Sequence, residues 1–322
     1  MQQANHLDFC FMLKSYKKDI KYVERLIKSL NEFNADLIET YIVVPQDDFV
    51  YFKRFSNELI HIIFEENIPT KLASTEYFQL GSGYMNQAII KMAFHRLNLS
   101  DHYLCLDSDF EFIRTFKKSD FLTNEGIPYT VLVEDNELRI DRTYFSQYWT
   151  ERLVSLKKIL DFLNMDSNEV WLTCHGGQIF STKVLRDMDL ELLGVRQIDY
   201  IDLIKISPYE FSWYAYYLQK MRINLRVREP FFKTLHTISQ LGIHQKLGLT
   251  TNDISRGYLG IVVNSNFQGS FGPISLDDNF YRTATHFLKY REIIKILVLK
   301  IFLHSLKSIK MLGNLRKVNS VQ

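Results

Sequence analysis

Short apolar runs of strand length alternate along this chain with stretches in which apolar residues recur at helical spacing. Asp8, Phe9, Cys10, Phe11, Met12 and Leu13 form the first run. Ile20, Val23, Ile27 and Leu30 then mark one face of a helix, with Asp19 as a suitable N-cap. Residues 41–44 predict a second buried strand, stopped by Pro45, and residues 59–64 a third, with a helix-like stretch near 47–54 between them. Residues 81–97 open on Gly81-Ser82-Gly83 and continue as a helix. Its apolar face carries Met85, Ala88, Ile89 and Met92, while Tyr84, Gln87 and Lys91 share another face. A strand over 103–106 follows, then a strand over 128–133, an amphipathic helix over 144–163, a short helix over 181–188, an aromatic-rich helix start over 208–217 and a last strand within 257–264. Strands alternating with helices predict an α/β fold with a mainly parallel, doubly wound sheet, whose ligands sit beyond the carboxyl ends of the strands. That rule places Lys14, Ser15 and Pro45 at one crevice, with Asp107 if its strand runs the same way.

Composition narrows the class. The 322 residues are 46% hydrophobic and 24% charged, ordinary for a globular protein, and no repeat or low-complexity linker interrupts them. A net charge of +2, with no Lys/Arg stripe in the first 280 residues, argues against a nucleic-acid partner. Cys10, Cys105 and Cys174 are widely spaced in apolar contexts and read as buried thiols of a reducing compartment. The start of the chain lacks the charged and apolar regions of a signal peptide, so a cytoplasmic location is expected. One domain over residues 1–275 is expected, followed by a basic amphipathic helical tail over 276–322. Between 287 and 317 the tail carries Lys289, Arg291, Lys295, Lys300, Lys307, Lys310, Arg316 and Lys317 against Glu292 alone, interleaved with Ile, Leu and Val. Such a segment suits the surface of an anionic membrane, here the inner face of the plasma membrane, or packs on protein.

The candidate chemistry centres on Asp107-Ser108-Asp109, at the end of the apolar run Tyr103-Leu104-Cys105-Leu106. On an extended backbone Asp107 and Asp109 would point one way and Ser108 the other. Adjacent carboxylates at a strand end call for a hard divalent cation that bridges to phosphate. The glycine-rich helix entry before them is a candidate phosphate site. It is not a dinucleotide fingerprint, because Asn86 stands where a third glycine is needed, and no Walker-type loop occurs.

The order of these pieces resembles GT-A-type nucleotide-sugar glycosyltransferases. They are a strand, a Gly-rich helix start with Tyr84, Gln87 and Lys91, then Leu106-Asp107-Ser108-Asp109. The chain is most similar to an uncharacterised bacterial family associated with surface-polysaccharide synthesis, which residues 13–19 and the block 181–185 also fit. Leu106-Asp107-Ser108-Asp109 with Arg114 and Phe116 is more distantly similar to glycogenin-like enzymes. The resemblance spans about residues 8–270 and implies a Rossmann-like, mixed sheet flanked by helices. It implies a hexosyltransferase-like enzyme that moves a sugar from a nucleoside-diphosphate sugar to a glycan or lipid-linked acceptor. It further implies Mn²⁺ or Mg²⁺ held by Asp107 and Asp109, the second more often the ligand, with His236 or His175 as a further ligand. Lys14, Ser15, Asp19, Tyr84, Gln87, Lys91 and Asp107 would bind the donor. Glu210, ahead of Glu134 and Asp135, would be the base if configuration inverts, although Trp213 stands where the family often has an acid. A metal-dependent nucleotidyltransferase or phosphohydrolase, and a non-catalytic carbohydrate- or membrane-binding scaffold, are the alternatives.

Overall fold

The computed structural model describes residues 6–74, 81–132, 142–166, 177–265, 273, 274 and 276. The first half of the chain gives β1 (Leu7–Lys14), α1 (Ile20–Phe33), β2 (Thr40–Val44), α2 (Phe49–Phe52), β3 (Ile60–Phe64), α3 (Ser82–Ala93), β4 (Ser100–Leu106), β5 (Phe110–Phe112) and β6 (Tyr129–Val131). Next come α4 (Arg142–Leu163), β7 (Ile179–Ser181), α5 (Thr182–Met188), α6 (Tyr200–Ile206) and α7 (Glu210–Lys220). The described chain ends with β8 (Arg226–Arg228), β9 (Phe232–Leu235), α8 (Ile238–Lys246), α9 (Thr251–Ile254) and β10 (Gly260–Val263).

The main sheet has the order β3-β2-β1-β4-β7, parallel throughout except for the antiparallel edge strand β7. The mixed, mainly parallel α/β architecture is therefore as the strand–helix rhythm requires. Side chains alternate across this sheet and build a core on each face. Phe9, Phe11 and Leu13 of β1, with Leu104 and Leu106 of β4, pack on Val23, Leu26, Ile27 and Leu30 of α1. Cys10, Met12, Tyr103 and Cys105 pack instead on α3, α5, α6 and α7. Both described thiols, Cys10 and Cys105, are buried and unbridged. Cys174, the segment 170–174, His175, Glu134, Asp135 and nearly all of the basic tail lie outside the described residues.

Five features differ from the sequence reading. Residues 94–97 continue α3 as a 3₁₀ turn, and residues 47–54 form a single α turn between two 3₁₀ turns. β6 leaves the main sheet to pair with β8. β9, a run the periodicity does not mark as a strand, lies parallel to β10, and β10 lies antiparallel to β5. Finally, β4 stops at Leu106, and the amide of Phe110 donates to the carbonyl of Asp107 at 3.2 Å, so Asp107-Ser108-Asp109 is a turn. This turn hands the chain from the main sheet to the β5-β10-β9 sheet.

An aromatic cluster anchors that handover. The Phe11 ring meets Phe112, Phe116 and Phe121 at centroid separations of 5.7, 5.7 and 5.5 Å, and Phe110 lies 4.6 Å from Phe232. Gly260 lets β5 and β9 close on β10: a Cβ there would stand 2.4 Å from the Glu111 carbonyl oxygen and 2.4 Å from the Phe232 ring. Backbone cannot yield to such a clash, so Gly260→Ala is expected to cost about 3 kcal/mol in chemical denaturation. Gly257→Ala, where a Cβ meets nothing within 4 Å, should change stability by less than about 0.5 kcal/mol. Equal effects of the two substitutions would contradict this packing.

Candidate active site

The start of α1, the turn after β4, one face of α3, one face of α4, the start of α7, Thr234 of β9 and the end of β10 line a cavity of about 310 Å3. Its lining carries Asp19, Asp107, Ser108, Asp109, Asn264 and Ser265, together with Tyr84, Gln87, Lys91, Tyr148, Arg152, Tyr209, Glu210 and Phe211 from α3, α4 and the start of α7. Eight of the residues expected at a donor, metal or catalytic site can be placed against it. Asp19, Tyr84, Gln87, Lys91, Asp107, Asp109 and Glu210 line it, and Ser15 reaches it through Ser108.

Because the aspartates sit in a turn, strand alternation does not govern them, and Ser108 lines the same cavity instead of facing away. The three side chains are anchored separately. Asp107 Oδ1 accepts from Gln87 and lies 2.7 Å from Lys91 Nζ. Asp109 Oδ2 accepts from the Ser265 amide at 2.9 Å. Ser108 Oγ meets Ser15 Oγ at 3.0 Å and donates to Asp19 Oδ2 at 3.3 Å. Asp19 stands at the N-cap of α1 but makes no capping bond with its side chain, which is turned to Ser108.

Lys91 is a buried charge. Its Nζ lies between Asp107 Oδ1 at 2.7 Å and Glu210 Oε1 at 2.9 Å, and 4.8 Å from the centre of the Phe211 ring. Burial alone would push its pKa down, but Asp107 and Glu210 together hold it above the usual lysine range. The carboxylates behave in the opposite sense. Burial, then Asp107, pushes Asp109 up to about 6 against the opposing Ser265 bond. Burial likewise raises Asp19 to about 6, with Asp107 adding to it while the Ser108 bond and Lys14 oppose. The cavity lining thus contains four carboxylates and two cations, Lys91 and Arg152, and the two uncompensated negative charges equal the charge of one divalent cation.

The residues fit such a cation. Asp19, Asp107 and Asp109 offer the hard oxygen donors that Mg²⁺ and Mn²⁺ prefer. Among the described residues no group of three His, Cys, Asp or Glu side chains is gathered closely enough to hold an ion by itself. Water and substrate oxygens would complete the shell, as is usual for Mg²⁺.

Two expected site residues are placed elsewhere. Lys14 pairs with Glu65 at 2.7 Å, donates to the Ser15 carbonyl and does not line the cavity. His236 follows β9 in a buried position, where burial and then Lys233 push its imidazole down to about 4. Thr234, two residues earlier, lines the cavity in its stead. The glycines at the start of α3 do not line it either; α3 contributes from Tyr84 onward. Several lining residues escaped the sequence reading. Tyr148 and Arg152 are spaced i, i+4 on α4, a polar pair on a helix face that a search for inward-facing charge could have found. Arg152 is 2% exposed, lies 3.7 Å over the Tyr209 ring and donates to Ser212 Oγ at 3.1 Å. Ser265 has no local signal at all, since only the β5–β10 pairing brings it to Asp109.

Residues 7–254 match a family described only as a family of unknown function, DUF6492. No curated protein matches the sequence significantly. Among solved structures the chain is similar to mouse xyloside xylosyltransferase 1 in its apo form. The identity is 10%, the TM-score 0.43, and the match covers 81% of this chain and 99% of that one.

Two stability effects of opposite sign follow from the charges. The fold raises Asp109 from 3.8 to about 6, so its ionised form is disfavoured. The penalty is absent below pH 4, grows between pH 4 and 6 and is constant above. Asp109→Asn should therefore stabilise chelator-treated protein at pH 7.5, by on the order of 2 kcal/mol, and give no gain at pH 3.5. A lower melting temperature for the variant at pH 7.5 would refute this account. Lys91→Met leaves Asp107 and Glu210 without their ammonium and should cost about 3–5 kcal/mol, read from urea unfolding at neutral pH.

Proposed function

The chain belongs to that family, DUF6492, whose description carries no activity, and from the cavity itself we propose a divalent-metal-dependent glycosyltransferase acting on a nucleoside-diphosphate sugar. The observation that carries this reading is the cavity's polarity. Asp19 and Asp109, both with raised pKa, gather with Asp107 in its lining, and Lys91 links Asp107 to a further lining carboxylate, Glu210. The aspartates suit a cation that carries a diphosphate, and Glu210 suits a hydroxyl nucleophile.

When bound, the cation supplies Lewis-acid stabilisation of the charge that develops on the departing diphosphate. Asp109, fixed by the Ser265 amide, and Asp107 are its ligands in this reading. Asp107 can offer Oδ2, because Lys91 and Gln87 occupy Oδ1. Asp19, Ser15 and Ser108 form a connected polar shelf at the ends of β1 and β4, suited to the hydroxyls of the nucleoside. The acceptor oxygen bonds to the anomeric carbon as the bond from that carbon to the phosphate oxygen breaks, and the electron pair leaves with the nucleoside diphosphate. Glu210 Oε2 takes the acceptor proton while Oε1 stays on Lys91. Lys91 is a positioning residue here, holding Asp107 and Glu210 in one fixed geometry. His236 stays outside the ligand set proposed.

Surface-polysaccharide synthesis is the biological setting this reading favours, with residues 1–275 as the catalytic domain. The basic tail would rest on the anionic inner face of the plasma membrane. No described helix is long and apolar enough to cross a membrane.

Incubation with a panel of nucleotide sugars and Mn²⁺ should release nucleoside diphosphate. Asp109→Ala should lower turnover at least about 100-fold and remove the Mn²⁺-dependent part of nucleotide binding. Absence of turnover with every donor, together with nucleotide binding unaffected by Mn²⁺, would refute the assignment.

A further inference from the structure

The Lys91–Glu210 pair divides the cavity into two chemically different halves. One half is the oxygen-rich shelf around Asp19 and Asp107–Asp109. The other is aromatic, with Tyr84, Tyr148, Tyr209 and Phe211 contributed by α3, α4, the α6–α7 junction and α7.

Tyr84 is the one of these rings that is largely open, with 49% of its surface exposed. Burial, then Glu210 and Tyr209, holds its hydroxyl above the usual phenol range, against the opposing Lys91 and Arg152. Tyr84 thus lines the cavity together with Glu210 and Tyr209 while half of its surface stays exposed. Both cations of this half are closed off. Lys91 and Arg152 are each 2% exposed; Lys91 is bound by two carboxylates, and Arg152 is stacked on Tyr209. Among the described residues, the half thus presents an exposed aromatic ring and tyrosine hydroxyls beside a carboxylate, and no accessible positive charge.

We propose that this aromatic half is an acceptor subsite for an uncharged pyranose ring, stacked on Tyr84 with one hydroxyl directed to Glu210. The C–H face of a pyranose is apolar and its rim is polar, so a tyrosine face beside a carboxylate matches both. An acceptor that enters through a phosphate, such as a polyprenyl phosphate, would need an exposed cation to replace its lost hydration, and the described residues of this half offer none. The inference rests on the transferase reading for the fate of the hydroxyl and deepens it by choosing between glycan and lipid-phosphate acceptors. Tyr84, grouped by sequence with the donor residues, becomes a specificity residue for the acceptor.

The test uses the full-length chain and saturation-transfer NMR with methyl glucoside, methyl galactoside, methyl mannoside and farnesyl phosphate. Nucleoside diphosphate binding with Mn²⁺ is measured alongside on the wild type. At least one methyl glycoside should bind more tightly than farnesyl phosphate. Tyr84→Ala should weaken that glycoside at least tenfold, and Tyr84→Phe, which keeps the ring, by less than threefold. Melting curves report whether each variant folds, and the wild-type preference decides independently of them. A preference for farnesyl phosphate, no glycoside binding, or a folded Tyr84→Ala variant with unchanged glycoside affinity would each overturn the subsite. If the nucleotide binds with Mn²⁺ and no glycoside binds, the subsite alone fails. If glycosides bind as described and no nucleotide does, the subsite stands and the transferase reading falls.

Discussion

A single buried ammonium holds the cavity together. Lys91 Nζ sits 2.7 Å from Asp107 and 2.9 Å from Glu210, which belong to a turn after β4 and to the first residue of α7. Three elements distant in sequence are thereby fixed to one point. Coulomb attraction in a site of low polarity is strong enough to outweigh desolvation only because both partners are anionic and close. Remove either carboxylate and the ammonium keeps half of its compensation; remove the ammonium and two carboxylates face one another across the void. Among the described residues the acidic end of the cavity has no comparably close ammonium. There Asp19 and Asp109 stay strained towards their protonated forms, and a cation from outside is the natural complement.

The α/β class and the central strands were legible in the sequence because burial on both faces leaves an unbroken apolar run, as in Phe9 to Leu13 and Tyr103 to Leu106. The functional face of α3 was legible for a related reason: Tyr84, Gln87 and Lys91 share a helical spacing, and they line the cavity together. Asp107 and Asp109 were found by type and place, but the way they point was not. Strand alternation applies only while the backbone is extended, and the chain turns at Asp107 to leave one sheet for the other. Asp19 shows a similar limit. A residue with good N-cap chemistry was available for a different partner, Ser108, which lies 89 positions away in the chain.

What the sequence concealed is of one kind. Ser265 meets Asp109 with its backbone amide and its side chain across 156 positions of the chain, and only the β5–β10 pairing brings the two together. Arg152 and Tyr209 are a cation and an aromatic ring that meet across two helices. Lys14 follows a buried strand at the expected edge of the crevice, yet Glu65, just beyond β3, draws it aside. In each case a long-range pairing decides the outcome, and local composition only supplies the possible partners.

The site also shows how stability and chemistry are set against each other. Asp109 is almost wholly buried, next to another carboxylate, with the amide and side chain of Ser265 to steady it. No stability argument selects an ionised carboxylate there, since an asparagine could accept the same Ser265 bond without the charge. A charge that the fold disfavours is retained where its field is useful, and its field is directed into a cavity in which Asp107 and Glu210 already share Lys91. The asymmetry gives the cavity a direction: a cation and its anionic load are drawn to the Asp109 side, and a neutral molecule carrying a hydroxyl is left the side of Tyr84 and Glu210.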